Sequence, residues 1–275
     1  MKQALTAAQR VALARSPGRP NAQVFVDALF TEFFELHGDR RFGDDGSILG
    51  GLAFFEGRPV TVLAQRKGRT LQENIAWNFG MPNPEGYRKA LRLMEEAQRF
   101  GRPIVTFVDT PGAYPGMGAE ERGQGEAIAR CIAAMGALTV PVVAVVIGEG
   151  GSGGALALSV ANTIIMLENA VYSVLSPEGF ASILWKDAGR SQEAAELMRL
   201  TARDLLELGV ADKVIPEPEG GATPDSAQVF LQVRGALAGE LERLSRLSGR
   251  ALAQQRYEKF RRMGTAARQK GSRNQ

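Results

Sequence analysis

The period of the apolar positions changes several times along the chain, and each change marks an element. Residues 1–36 carry a helical pattern, with Phe25, Leu29, Phe33 and Leu36 on one face after the Pro17-Gly18-Arg19-Pro20 break; residues 3–14 suit a separate short helix. From Ser47 the pattern turns β-prone. Ser47–Phe55 and Pro59–Arg66 flank Glu56-Gly57-Arg58, a length and composition suited to a hairpin. Pro84 then opens a periodic helix with Tyr87, Leu91 and Met94 on one face and Gly101 beyond its end.

Two apolar strands, Ile104–Val108 and Val142–Ile147, bracket a helix with Ile128, Cys131, Ile132 and Met135 inward, which gives a βαβ rhythm. A loop at Gly148–Gly154 leads into a small-residue helix expected to reach Val160, followed by short strands at Thr163–Leu167, Val171–Val174 and Val210–Ile215. Ser176-Pro177 reads as a helix N-cap with proline in the first position, and Thr201 with Asp204 as a capping box for a helix that Gly209 ends. Helical periodicity resumes at Asp225. The class is α/β, divided into an N-terminal helical segment (1–36), a central domain (37–224) and a C-terminal helical region with a basic tail (225–275).

Composition narrows the choice. A chain of 275 residues, 44% apolar and 23% charged, can bury a sizeable core and lies far from disordered compositions. Its longest apolar stretch, Val140–Ile147, falls well short of the ~20 residues that cross a bilayer. No apolar segment with a cleavage site opens the chain, so a cytoplasmic location is expected. One cysteine, Cys131, and one histidine, His37, cannot form an internal disulfide or a cysteine- or histidine-rich metal centre, so no metal is expected in this chain. The net charge of +3 is uneven: residues 1–242 hold 23 basic and 29 acidic side chains (−6), and residues 243–275 hold 10 basic and one acidic (+9). The tail suits an acidic partner surface or a solvated helix, and without interleaved aromatics for base stacking a nucleic-acid partner is not expected.

The chemistry concentrates in two glycine-rich loops, Asp109-Thr110-Pro111-Gly112-Ala113-Tyr114-Pro115-Gly116-Met117-Gly118 and Gly148-Glu149-Gly150-Gly151-Ser152-Gly153-Gly154. Each follows an apolar strand and precedes a helix, so bare N–H groups and a helix start can meet a ligand, and two such loops at neighbouring strand ends can each give an N–H to one developing oxyanion. The second loop also fits two generic patterns. Gly148, Gly150 and Gly153 match a dinucleotide fingerprint with Glu168 downstream, although too few βα units follow; Gly150-Gly151-Ser152-Gly153-Gly154 matches a nucleophile elbow, although the only histidine lies upstream of Ser152. His37 suits a structural hydrogen bond near Asp39 or Arg40. Lys67-Gly68-Arg69 can meet a phosphate or carboxylate or form an exposed turn, Glu120, Glu121 and Glu126 favour a helix start, and Trp77–Pro82 suits a pocket wall or a core edge.

Taken together, Glu35–Arg40, Lys67–Arg69, Asn78–Pro82, Pro84–Met94, Asp109–Arg130, Gly148–Leu156 and Tyr172–Trp185 resemble the alpha subunit of the bacterial acetyl-coenzyme A carboxylase carboxyltransferase. The runs DTPGAYPG, AEERGQ and GEGGSGGALA are the most specific. The resemblance implies a crotonase-like fold of repeated ββα units with flanking N- and C-terminal helices. It also implies a transferase that moves the carboxyl group of carboxybiotin, on a carrier protein, to acetyl-CoA to form malonyl-CoA for fatty acid biosynthesis. By the same resemblance, backbone N–H groups of Gly153, Gly154 and Ala155 hold the biotin ureido oxygen, and Gly112, Ala113, Gly116, Gly150 and Gly151 line the substrate site. The implied partners are a carboxyltransferase beta subunit in an alpha2beta2 heterotetramer, which brings the zinc, together with the biotin carboxyl carrier protein and biotin carboxylase of an ATP-dependent complex. Thr223 stands where the family usually has a histidine, and the N-terminal region is shorter than usual. A stand-alone crotonase-fold acyl-CoA hydrolase or hydratase is the alternative.

Overall fold

The computed structural model describes residues 5–264, and the part of the basic tail at 265–275 lies outside them. Two short helices come first, α1 (Ala7–Ala14) and α2 (Ala22–Leu29). Thr6 and Gln9 form a capping box on α1, and the Asn21 side chain accepts from the Val24 N–H at the start of α2. The helical reading fails beyond this point. Thr31–Glu35 is a strand, β1, paired antiparallel with β2 (Ile48–Phe55), so Phe33 and Leu36 pack from a sheet edge and Phe34 is exposed. The hairpin is as expected: β2 pairs along its full length with β3 (Arg58–Gln65) through Glu56-Gly57, both at positive φ.

Three parallel strands form the centre, β4 (Ile104–Thr110), β5 (Val142–Gly151) and β6 (Thr163–Leu167). Among the described residues the sheet order is β1-β2-β3-β4-β5-β6-β8, with β8 at Lys213–Ile215 and β7 (Val171–Ser173) paired to the end of β5. After a short helix, α3 (Leu71–Ala76), one face carries α4 (Pro84–Arg99) and α6 (Gln124–Ala137), which pack together through Tyr87, Leu91, Ala127 and Cys131. Against the other face lie α2 and α11 (Ala227–Ser245), where Phe25 stacks on Phe107 at 5.7 Å and meets Phe230 edge-on at 5.0 Å. A single buried apolar cluster runs from Ala22 to Leu252, the latter on α12 (Gly249–Arg262).

Two further expectations change. The glycine segment at 148 begins as strand, because Glu149, Gly150 and Gly151 pair with Val171, Tyr172 and Ser173 of β7. The helix behind it, α7 (Ser152–Leu156), stops well before Val160: the Ser159 hydroxyl donates to the Ala155 carbonyl and the Thr106 hydroxyl to the Leu158 carbonyl, which turns the chain toward β6. The expected caps are present on α8 (Pro177–Trp185), where Ser176 accepts from the Gly179 N–H, and on α10 (Ala202–Glu207), where Thr201 and Asp204 cap reciprocally. Between them lies α9 (Ser191–Met198), packed on α1. Among the described residues no helix is long and apolar enough to cross a membrane.

Candidate active site

β4 and β5 are adjacent and parallel, so both glycine-rich turns leave the same edge of the sheet side by side. The first is clamped from outside. The Gly112 N–H donates to the Thr110 hydroxyl at 3.0 Å, and the same hydroxyl reaches the Gly80 carbonyl at 2.6 Å. The Tyr114 N–H donates to the Pro82 carbonyl, and the Gln124 amide donates to the carbonyls of Pro82 and Tyr114. Trp77–Pro82 thus buttresses the turn, while Arg66 stacks on Trp77 at 4.3 Å. Gly116 N-caps a five-residue helix, α5 (Met117–Glu121), with the Tyr114 ring against it.

The second turn is the start of α7, whose N-cap is Gly151 and which has no side-chain cap. Its first-turn N–H groups, those of Gly153, Gly154 and Ala155, include donors that no carbonyl of so short a helix can meet. Inside, the Gln65 amide donates to the Gly154 carbonyl at 2.7 Å and fixes that peptide plane. The two turns interlock through missing side chains. A Cβ on Gly151 would overlap the Pro111 carbonyl, and one on Gly154 would lie 2.7 Å from the Ala113 nitrogen and 2.8 Å from the Tyr87 hydroxyl. Gly153 differs, since a Cβ there would meet nothing nearer than Ile128 at 3.6 Å. Gly150 and Gly148 make room for the Tyr172 ring and the Asp109 carboxylate. Gly112, Ala113, Gly150, Gly151, Gly153, Gly154 and Ala155 therefore gather at one place, and Gly116 lies farther along the first loop.

Beneath the turns lies a charged cluster that sequence reasoning largely missed. The Lys67 ammonium bridges Asp109 at 2.9 Å and Glu149 at 2.6 Å; Arg15 of the first helix's C-cap binds Glu149 and Glu178, each at 2.7 Å. The Glu149 N–H also donates to Asp109. Burial opposes the ionised Glu149, but Lys67 and Arg15 overcome it and hold the carboxyl below its usual range. Burial likewise works against the Lys67 ammonium, and Asp109 and Glu149 reverse it, leaving the lysine raised. The available signal was one charge set in each of two apolar strand ends. Lys67 does meet carboxylates, those of its own chain.

The remaining candidates separate. Ser152 is exposed and adopts φ +54°, an elbow-like conformation. His37, however, follows the edge strand β1 and bonds Asp44 at 2.9 Å instead of Asp39 or Arg40. Four strand spacings of ~4.8 Å put β1 about 19 Å from β5, far outside the ~3 Å reach of a general base. Glu168 accepts from the Glu217 N–H and pairs with Arg10, which occupies the residue a ribose contact would need. Glu120 stands in the first turn of α5 and Glu126 in that of α6, and Thr223 bonds Ser226. Among the described residues no group of three or more His, Cys, Asp or Glu side chains could hold a metal ion.

Residues 1–264 match the family described as acetyl co-enzyme A carboxylase carboxyltransferase-like. The chain is 58% identical over 263 residues to the acetyl-coenzyme A carboxylase carboxyl transferase subunit alpha of Geobacillus sp. (strain WCH70), covering 96% of this chain and 81% of that one. It is 57% identical to the protein of the same name from Clostridium acetobutylicum, covering 95% and 96%. A Natranaerobius thermophilus protein named as subunits beta/alpha is 56% identical over 94% of this chain and 43% of its own length. Among solved structures, a chain of a Pseudomonas malonate decarboxylase hetero-tetramer in complex with coenzyme A superposes with TM-score 0.69 at 20% identity, covering 94% and 98%. A transcarboxylase 12S structure gives 0.66 at 19%, covering 85% and 44%. These superpositions show that the fold is crotonase-like, as in those structures.

Proposed function

This chain belongs to the acetyl-coenzyme A carboxylase carboxyltransferase family, as an alpha-subunit member, and on that premise we propose that its two interlocked turns hold the biotin end of a carboxyl transfer from carboxybiotin to acetyl-CoA. The observation that carries this reading is the pairing of an uncapped helix start at Gly153–Ala155 with the facing Gly112-Ala113 backbone. When carboxybiotin gives up its carboxyl group, negative charge grows on the ureido oxygen. Fixed N–H donors aimed at that oxygen stabilise the charge without reorganising, and one such donor typically contributes ~10²–10³ in kcat. The Gln65 bond to the Gly154 carbonyl and the clamps on the first turn hold the donors in place before the substrate arrives. No side chain of this chain need act as base, since the ureido nitrogen freed of its carboxyl can accept the acetyl-CoA proton.

In this reading the thioester site and the zinc belong to a beta subunit, within an alpha2beta2 assembly served by the biotin carboxyl carrier protein and biotin carboxylase in the cytoplasm. The fused beta/alpha relative is consistent with that division of labour. The test is malonyl-CoA decarboxylation in the presence of biocytin, the reverse reaction. This chain alone should be silent and the chain co-expressed with its beta subunit active. Robust turnover by the chain alone would sink the shared-site reading, and release of free CoA from an acyl-CoA by the chain alone would return the hydrolase alternative.

A further inference from the structure

We propose that Lys67 is a positioning residue for the transfer step, its ammonium setting the offset between the two glycine turns by joining the strand ends from which they spring. The inference rests on the carboxyl-transfer reading of those turns. Lys67 lies just beyond β3, the neighbour of β4, and reaches across two strands. One partner, Asp109, is followed directly by Thr110-Pro111-Gly112-Ala113; the other, Glu149, by Gly150-Gly151-Ser152-Gly153-Gly154. The same Asp109 oxygen accepts from the Lys67 ammonium and from the Glu149 N–H at 3.0 Å, so both turns are pinned to a single atom.

The surrounding chain is shaped to admit this cluster. Gly148 leaves the space that the Asp109 carboxylate fills, and a Cβ on Gly80 would lie 2.6 Å from Cγ of Lys67. Both glycines lie outside the proposed donors, yet both are needed for the lysine and its partners to fit. The Asn21 amide donates to the Lys67 carbonyl at 3.0 Å and fixes the backbone from which the side chain starts. Arg15 then neutralises the far oxygen of Glu149. Buried ion pairs commonly stabilise a fold no better than apolar side chains of the same shape, so such a cluster serves best where it specifies a geometry.

Lys67→Met keeps the stem and removes the charge. The first measurement is amide hydrogen exchange on the full chain without partner or substrate. Exchange at the bonded amides of the two turns, Gly112, Glu149 and Ala157, should speed at least tenfold relative to Val105–Phe107 in the core of β4. The second is kinetics in the assembled enzyme, where kcat should fall at least tenfold while KM for acetyl-CoA stays within twofold. Because Lys67→Met leaves two facing buried carboxylates, Lys67→Met/Glu149→Gln is measured beside it; it should fold better and remain as slow. Exchange that rises uniformly across the sheet, or a kcat within twofold of wild type in either folded variant, overturns the proposal. A wild-type enzyme inactive in carboxyl transfer would refute the transfer reading instead, and the exchange result would still decide whether Lys67 sets the turns.

Discussion

The turns after β4 and β5 carry the same sequence signal and owe their glycines to different causes. In the second, Gly150, Gly151 and Gly154 are pressed against Tyr172, Pro111 and Ala113, and the backbone conformation alone would tolerate other residues. In the first, Gly112 has open space around it but stands at φ +150°, where a side chain is strained whatever the room. The second turn needs glycine for its neighbours and Gly112 for its own torsion, while Gly116, farther along the first loop, makes way for the Tyr114 ring. A glycine count treats the two alike; substitutions should not.

The sharpest break is Gly154→Val. Two extra methyl groups and a Cβ would enter a space bounded by backbone, and overpacking of that kind costs ~1–3 kcal/mol. We expect a lowered melting temperature, the turns forced apart and carboxyl transfer down by more than ~10², the scale of a lost oxyanion donor. Gly112→Ala should cost about 1 kcal/mol through its torsion, with assembly intact by gel filtration. Gly153→Ala meets only ordinary contacts and should stay within ~0.5 kcal/mol of wild-type stability.

Ser152 gives a finer separation, because its φ of +54° is a conformation glycine adopts more readily. Ser152→Gly should match or exceed wild-type stability, by up to ~1 kcal/mol. Ser152→Ala should keep most of the carboxyl transfer in the assembled enzyme, and an inactive Ser152→Ala that still assembles would restore the nucleophilic reading. The smallest effect concerns acid. Glu149 titrates below its ordinary 4.5 in the fold, so its contribution is complete above that pH and is lost as pH falls through the lowered value. Exchange at Glu149 and Ala157, the bonded amides on the second turn's side, should therefore rise before that at Tyr114, whose clamps from Pro82 and Gln124 carry no ionisable group. Equal onset would show that the charged cluster holds both turns to the same degree.

Local chemistry made much of the fold readable. The Glu56-Gly57 hairpin, the Pro84 helix and the Ser176 and Thr201 caps each depend on neighbours within a few residues. What escaped depends on distant partners. Thr31–Glu35 has apolar residues compatible with either period, and it is a strand because Phe34 finds Leu52. Gly148–Gly151 looks like a loop until β7 arrives to pair with it. The glycine turns of the candidate site were visible as composition, and their adjacency followed from the βαβ rhythm. Their interlock and the Lys67 cluster were not visible, because residues 67, 109 and 149 meet only through the sheet.

The brace behind β5 has a consequence for the order in which the molecule can be finished. Arg19 donates to the Ile147 carbonyl at 2.5 Å, just before the second turn, and both it and its bidentate partner Glu217 are buried. The two are separated by 198 residues. At the ~5–20 residues per second of synthesis, about 10–40 s pass between the making of the arginine and of the carboxylate that neutralises it. Throughout that time the nascent chain holds a guanidinium with no counter-charge for the place it must occupy, so the brace can close only after the segment carrying Glu217 has been made.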